Sequence, residues 1–163
     1  MSTKLSGGAP RNTLPSTKDM RFALITANWN SHITHALRDG ALEVLHKAGV
    51  SDDSIGLFEV PGAIELTFAA SQIIETSQYD AVIVFGCVIR GGTPHFEYVC
   101  QSVTQGITML NADCDIPVIF GVLTVDKEED ALDRAGGKLG NKGCEAAEAA
   151  VLMADFARRT KDL

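Results

Sequence analysis

The stretch Tyr79–Leu110, "YDAVIVFGCVIRGGTPHFEYVCQSVTQGITML", decides how the rest of the chain is read. Its opening part, 79–89, is apolar almost throughout and rich in β-branched side chains, the pattern of a strand covered on both faces in a parallel sheet. Its closing part keeps Phe96, Val99, Val103, Ile107 and Leu110 on one face of a helix over 96–110. Between them, Gly91-Gly92-Thr93-Pro94-His95 makes the turn. Thr93 suits a helix N-cap, and Pro94 the first helical position, where its missing N–H costs nothing.

Outward from this unit the same alternation recurs. "RFALITA" (21–27), "SIGLFEV" (54–60) and "IPVIFGVLTV" (116–125) read as further strands, and the two longest apolar runs, 79–89 and 116–125, are expected at the centre of the sheet. In 31–48, Ile33, Ala36, Leu37, Ala41, Val44 and Leu45 share a helical face, and Gly49 closes the helix. Glu65 falls where the crossover helix after the second strand begins. Asp126 as N-cap, with Glu129 three residues on, signals a short helix over 127–135 that Gly136 stops. An alanine-rich helix over 143–159 carries Val151, Leu152 and Phe156. Repeated strand and helix predict an α/β fold, a three-layer α/β/α sandwich with right-handed crossovers on a four-stranded, mainly parallel sheet.

With 163 residues and 17.4 kDa, one domain with a sizeable core is expected over 19–163. The polar segment 1–18 reads as a flexible N-terminal arm without the apolar core of a secretory signal. A net charge of -7 excludes the basic surface that nucleic acid or anionic lipid demands, so neither is expected as a partner. No run approaches ~18 uninterrupted apolar residues, and a cytoplasmic location is expected. Cys87, Cys100, Cys114 and Cys144 include no C-x-x-C pair and read as reduced packing residues.

In such folds ligands bind beyond the carboxyl ends of the strands. There the chain places Asn28-Trp29-Asn30, then Pro61-Gly62-Ala63-Ile64-Glu65, then Arg90 to His95, and Phe120 with "TVDK" at the end of the fourth strand. The helix that starts at His95 aims free amides and partial positive charge at any anion before Gly91 and Gly92, which suits a phosphate. That field disfavours a second positive charge, so His95 is expected to stay neutral and able to move a proton; otherwise it merely finishes a helix start. Trp29 is either a lid over the sheet edge or a platform for a planar heterocycle. Glu65 either complements a helix N-terminus or accepts hydrogen bonds from a polyol.

Arg134 and Lys142 bracket the glycine-rich segment after the short helix. Arg134 either complements a helix C-terminus or offers its guanidinium fork to a phosphate. The segment is no P-loop, because Asn141 and Gly143 stand where that motif needs Gly and Ser/Thr, and no strand precedes it. His32 and His35 lack a third metal ligand in reach and read as a solvated helix face. A flavodoxin-type electron carrier would carry its phosphate loop directly after the first strand, and a receiver domain an aspartate at the end of the third; neither is found.

With these residues in hand, the chain resembles the lumazine synthase family from about Met20 to Phe156. "ANWN", "EVPGAIELT", "GCVIRGGTPHFEYVCQSVTQG", "IPVIFGVLTVD" and "DRAGGKLGNKGCEAA" match its signatures in order and spacing. The resemblance implies a flavodoxin-like sandwich that condenses 5-amino-6-ribitylamino-2,4-pyrimidinedione with 3,4-dihydroxy-2-butanone 4-phosphate to 6,7-dimethyl-8-ribityllumazine, in riboflavin biosynthesis. No metal or organic cofactor is implied. By the same resemblance Trp29 would stack on the pyrimidine, Ala63 and Glu65 would hold the ribityl chain with Ile64 also among the substrate-binding residues, and the Cys87-Val88-Ile89 backbone would meet the pyrimidine edge. Gly92 and Thr93 with Arg134 would bind phosphate, His95 would shuttle protons, and Lys142 would contact the pyrimidine. Phe120 would come from a neighbouring subunit of a pentamer or an icosahedral shell. The alternative it leaves is a shell that binds flavin-like ligands with little turnover.

Overall fold

The computed structural model describes residues 13–161. Element order follows the alternation in the sequence: β1 (Phe22–Ala27), α1 (Ser31–Lys47), β2 (Ile55–Val60), α2 (Glu65–Glu75), β3 (Ala81–Ile89), α3 (His95–Asp113), β4 (Val118–Val125), α4 (Glu128–Leu132), β5 (Ala135–Gly137), β6 (Gly140–Asn141) and α5 (Lys142–Lys161). Strands β1 to β4 make one sheet in the order β2-β1-β3-β4, and every pairing in it is parallel.

The period of two along each strand sorts side chains into two cores. Phe22 and Leu24 of β1, with Ile83 and Phe85 of β3, pack against Ile33 and Leu37 of α1 and Ala147 and Val151 of α5. Ala23 and Ile25, with Val82 and Val84, face Leu66 and Ala70 of α2 and Val103 and Ile107 of α3. The three-layer sandwich is therefore as expected. Helix α5 lies close on α1 because residue 143 is glycine: a Cβ there would sit 1.8 Å from the Leu37 carbonyl oxygen. Asn141, just before it, donates from Nδ2 to the Ala36 carbonyl at 2.9 Å and fastens the β5–β6 hairpin to α1.

Two expectations need correction. β4 is an edge strand, and the centre belongs to β1 and β3. Continuous apolarity reports that both faces of a strand are covered, as α3 and α5 cover β4, and carries no information on whether another strand lies beside it. No side chain caps α3 or α4: Pro94 and Lys127 occupy the cap positions, and the Asp126 carboxylate accepts from Arg90 Nε at 2.6 Å instead. The glycine-rich segment, to which no apolar pattern assigned an element, folds into the antiparallel β5–β6 hairpin, with Gly136 and Gly140 at positive φ.

Of the arm expected over 1–18, residues 1–12 lie outside the described residues. Within the remainder, Leu14 packs against the α1/α5 core and Thr17 Oγ1 donates to the Ala48 carbonyl at 2.7 Å.

Candidate active site

The parallel sheet sends the loops after β1, β2 and β3 to one edge, and hydrogen bonds tie the first of them to the ends of β2 and β3. Asn28 N donates to the Val60 carbonyl at 2.8 Å and Trp29 N to the Pro61 carbonyl at 3.0 Å, so the first loop is tied to the end of β2. Asn30 adopts a left-handed conformation, φ 59 and ψ 44, which asparagine tolerates better than most residues. Its carbonyl receives the Ile33 and Thr34 amides that open α1, and its Nδ2 donates to the Cys87 carbonyl at 3.0 Å. A residue valued in the sequence only as Trp29's neighbour thus joins the first loop to β3. An asparagine one residue before a helix was the available signal.

Strand β3 outlasts its neighbour. Its pairing with β1 ends at Thr26 opposite Phe85, while β3 continues to Ile89 and leaves that side of 86–89 without a strand beside it among the described residues. A cavity of about 380 Å³ opens over this exposed strand end, within the ~300–1,000 Å³ usual for small-molecule sites. Trp29, Ala63, Ile64, Glu65, Cys87, Val88, Ile89 and His95 line it, joined by Asn30, Gly62 and Val99. Trp29 is 74% exposed, which rules out a core role for the indole. Glu65 is the first residue of α2 and His95 the first of α3, so each stands where a helix N-terminus meets the cavity.

Gly92 and Thr93 lie exposed on the turn that leads into His95. Neither Gly91 nor Gly92 has a positive φ, and none of the described protein atoms lies within 4 Å of a Cβ built on either. The fold itself does not require glycine at either position. Burial, with Glu128 as a lesser cause, pushes the Cys87 thiol up to about 11. That sulfur stays protonated and nonnucleophilic at neutral pH, while the carbonyl of the same residue is used by Asn30.

The structure does not bring Phe120, Arg134 and Lys142 into this cavity. Phe120 is third in β4, opposite Val84, rather than at the strand's carboxyl end as expected. It shares with Arg134 and Lys142 a separate open groove of about 710 Å³ along the free edge of β4, beside α5. The β5–β6 hairpin sets the two cations side by side, with Lys142 N donating to the Arg134 carbonyl at 2.8 Å. Within the chain Arg134 donates to the Asp130 carbonyl at 2.7 Å, and Lys142 pairs with Glu145 at 2.7 Å. Among the described residues no three metal-ligating side chains gather. His32 pairs instead with Glu128 at 2.6 Å, and His35 stands 3.7 Å from Glu59.

Fold and site define a flavodoxin-like α/β protein whose small-molecule cavity lies beyond the carboxyl ends of a parallel sheet, between a tryptophan and a histidine. The family described as 6,7-dimethyl-8-ribityllumazine synthase matches residues 19–158, and the chain belongs to that family. It is 54% identical over 137 residues to the 6,7-dimethyl-8-ribityllumazine synthase of Bacteroides fragilis (strain YCH46), covering 84% of this chain and 96% of the relative. Its identity to the protein of the same name from Parabacteroides distasonis is 52% over 145 residues, 89% of this chain and 91% of that one. With the Porphyromonas gingivalis protein of that name it is 52% over 146 residues, 90% and 91%.

Proposed function

We propose that the chain condenses 5-amino-6-ribitylamino-2,4-pyrimidinedione with 3,4-dihydroxy-2-butanone 4-phosphate and releases 6,7-dimethyl-8-ribityllumazine, phosphate and water. The observation that carries this reading is the convergence of Trp29, Glu65 and His95 on one cavity over the open end of β3, in a chain of this family. The pyrimidine ring stacks on the exposed indole and its edge meets the Cys87–Ile89 backbone. The ribityl hydroxyls reach Ala63, Ile64 and Glu65. The butanone phosphate sits before Gly92 and Thr93, where the start of α3 offers amides and positive potential.

In this arrangement the 5-amino group attacks the ketone and water leaves to form an imine. Phosphate is then eliminated and the resulting enol tautomerises. The ribityl-bearing nitrogen closes the ring with loss of a second water. His95 carries protons between these steps, worth typically ~10²–10⁴-fold. Alignment of amine and ketone supplies more, since effective molarities correspond to ~7–11 kcal/mol.

The separation of the two grooves supports a site shared between copies. Phe120, Arg134 and Lys142 lie along an edge strand whose outer side has no strand beside it among the described residues, and Phe120 is 40% exposed. Set against the Trp29 cavity of a second copy, this groove covers the pyrimidine with Phe120 and supplies Arg134 to the phosphate and Lys142 to the ring. A head-to-tail contact of this kind closes into a ring, and a pentamer or a larger icosahedral shell satisfies it. The cytoplasm is the compartment we assign, on the strength of four free cysteines, and no helix among the described residues is long and apolar enough to cross a membrane. A binding shell with little turnover is not favoured, since the relatives are named as synthases.

The test mixes purified protein with both substrates and follows lumazine absorbance together with released phosphate. One phosphate per lumazine is expected. Binding of the pyrimidine without product would sink the reading.

A further inference from the structure

Arg90 is the last residue before Gly91, and it is the most heavily engaged side chain near the cavity that no substrate contact explains. Its Nε donates to Asp126 Oδ1 at 2.6 Å, just past the end of β4, and its Nη1 donates to Glu97 Oε1 in the first turn of α3. Its guanidinium lies over the Phe96 ring, 4.1 Å from the centroid, and its amide donates to the Val125 carbonyl at 2.9 Å. The four residues it spans, Gly91 to Pro94, have little else to hold them: the glycines have open space around them, and among the described residues the only turn bond from this segment is Glu97 N to the Pro94 carbonyl at 3.1 Å.

We propose that Arg90 is a positioning residue, whose fork between Asp126 and Glu97 and stack on Phe96 sets the Gly91–Pro94 loop and with it the phosphate-facing amides and the His95 imidazole. The inference rests on the condensation reading for what the loop binds, but the clamp itself is a property of the free chain. An isolated exposed ion pair contributes little to order, but a network with two carboxylates and an aromatic face on one rigid, planar cation holds geometry. Consistent with these contacts, Glu97 is held below the usual carboxylate range and Arg90 above its ordinary value. The trio carries one positive and two negative charges, a net charge that does not attract phosphate. Its contribution is therefore placement, and the loop amides with Arg134 supply the attraction.

Hydrogen exchange in the ligand-free protein reads the clamp directly. Arg90→Gln and Glu97→Gln are each expected to speed exchange of the backbone-bonded amides of residues 90 and 97, at the two ends of this segment, by about tenfold, with the Trp29 loop unchanged. Arg90→Lys keeps the charge but not the fork and should behave like Arg90→Gln. In turnover the same variants should raise KM for the butanone phosphate about tenfold and leave KM for the pyrimidine within about twofold. Asp126→Asn separates placement from charge: a plain cation at Arg90 would bind phosphate better once the carboxylate is gone, whereas a loosened clamp raises that KM. Unchanged exchange in Arg90→Gln and Glu97→Gln, or a lowered KM in Asp126→Asn, would overturn the proposal. Absence of turnover in the unaltered protein would instead overturn the condensation reading and leave the exchange result standing.

Discussion

The Trp29 cavity and the β4 groove lie on one chain yet are built on different terms. Around the cavity, the loop after β1 is tied to its neighbours, through the Asn28 and Trp29 amides to the end of β2 and through the Asn30 side chain to β3. In the groove, Arg134 and Lys142 are held beside each other but are engaged by groups of their own chain, Asp130 and Glu145, and the strand that carries Phe120 has a bare edge among the described residues. The difference teaches that one region is a cavity braced by bonds within its own chain, and the other an open groove of charges and an aromatic along that unpaired strand edge.

That contrast breaks most readily at Arg134. Loss of one partner of a desolvated charge pair costs ~2–5 kcal/mol, so Arg134→Ala should lower kcat/KM by about 10³-fold, mainly through KM for the butanone phosphate, in steady-state kinetics. If the two regions meet between copies, refolding Arg134→Ala together with His95→Ala should regenerate roughly a quarter of the sites, because random neighbours across a head-to-tail interface pair an intact groove with an intact cavity. No recovery would place both regions in a single-chain site and sink the shared arrangement.

A smaller effect is expected at His95, which belongs to the cavity alone. His95→Ala should slow kcat by about 10²-fold with KM for both substrates little changed, since alignment still supplies most of the acceleration. A fall comparable to that at Arg134 would move the burden of catalysis from placement to proton transfer. Trp29 sharpens the comparison further. Trp29→Ala should raise KM for the pyrimidine about tenfold, the scale of one stacked ring, and Trp29→Phe about threefold or less. Binding of the pyrimidine should quench the fluorescence of this sole tryptophan in the unaltered chain.

The smallest effect concerns Cys87 in the cavity wall. Its thiol ionises at about 11 in the folded chain, raised from the ordinary 9.0. The neutral form is thus favoured by folding, so the stability it contributes is whole below pH 9 and is lost as pH climbs toward 11. Denaturant midpoints measured across that range should fall more for the natural chain than for Cys87→Ala. Alkylation of Cys87 at neutral pH should lag behind that of the half-buried Cys100.

Much of the molecule was legible in its residues alone. The apolar runs announced β1 to β4 and the 3.6-residue stripes announced α1, α3 and α5, because both patterns record which faces are buried, and burial is a local property of the side chains. The identity of the cavity was readable for the same reason: Trp29, Glu65 and His95 come directly after strands, and parallel strands deliver their succeeding loops to one edge. Phe120 was misplaced because an apolar run has no internal mark for where along the strand a residue falls. Asp126 was misread as a cap because a carboxylate before a helix serves Arg90 just as well. Asn30 and Arg90 were given no role of their own, since Cys87 and Asp126, to which they bond, lie 57 and 36 residues away.

The amino-acid sequence by itself determined the alternation of elements, the chemistry gathered beyond the strand ends and the kinship with the synthase family. Only the tertiary structure decided that β4 lies at an edge, that its groove keeps Arg134 and Lys142 apart from Trp29 and His95, and that Arg90 bridges β4 and α3. The physical reason is that periodicity encodes what a residue is buried against in its own element. Lateral strand order and the meeting of distant polar groups are set by crossovers and packing between elements, which no local pattern records.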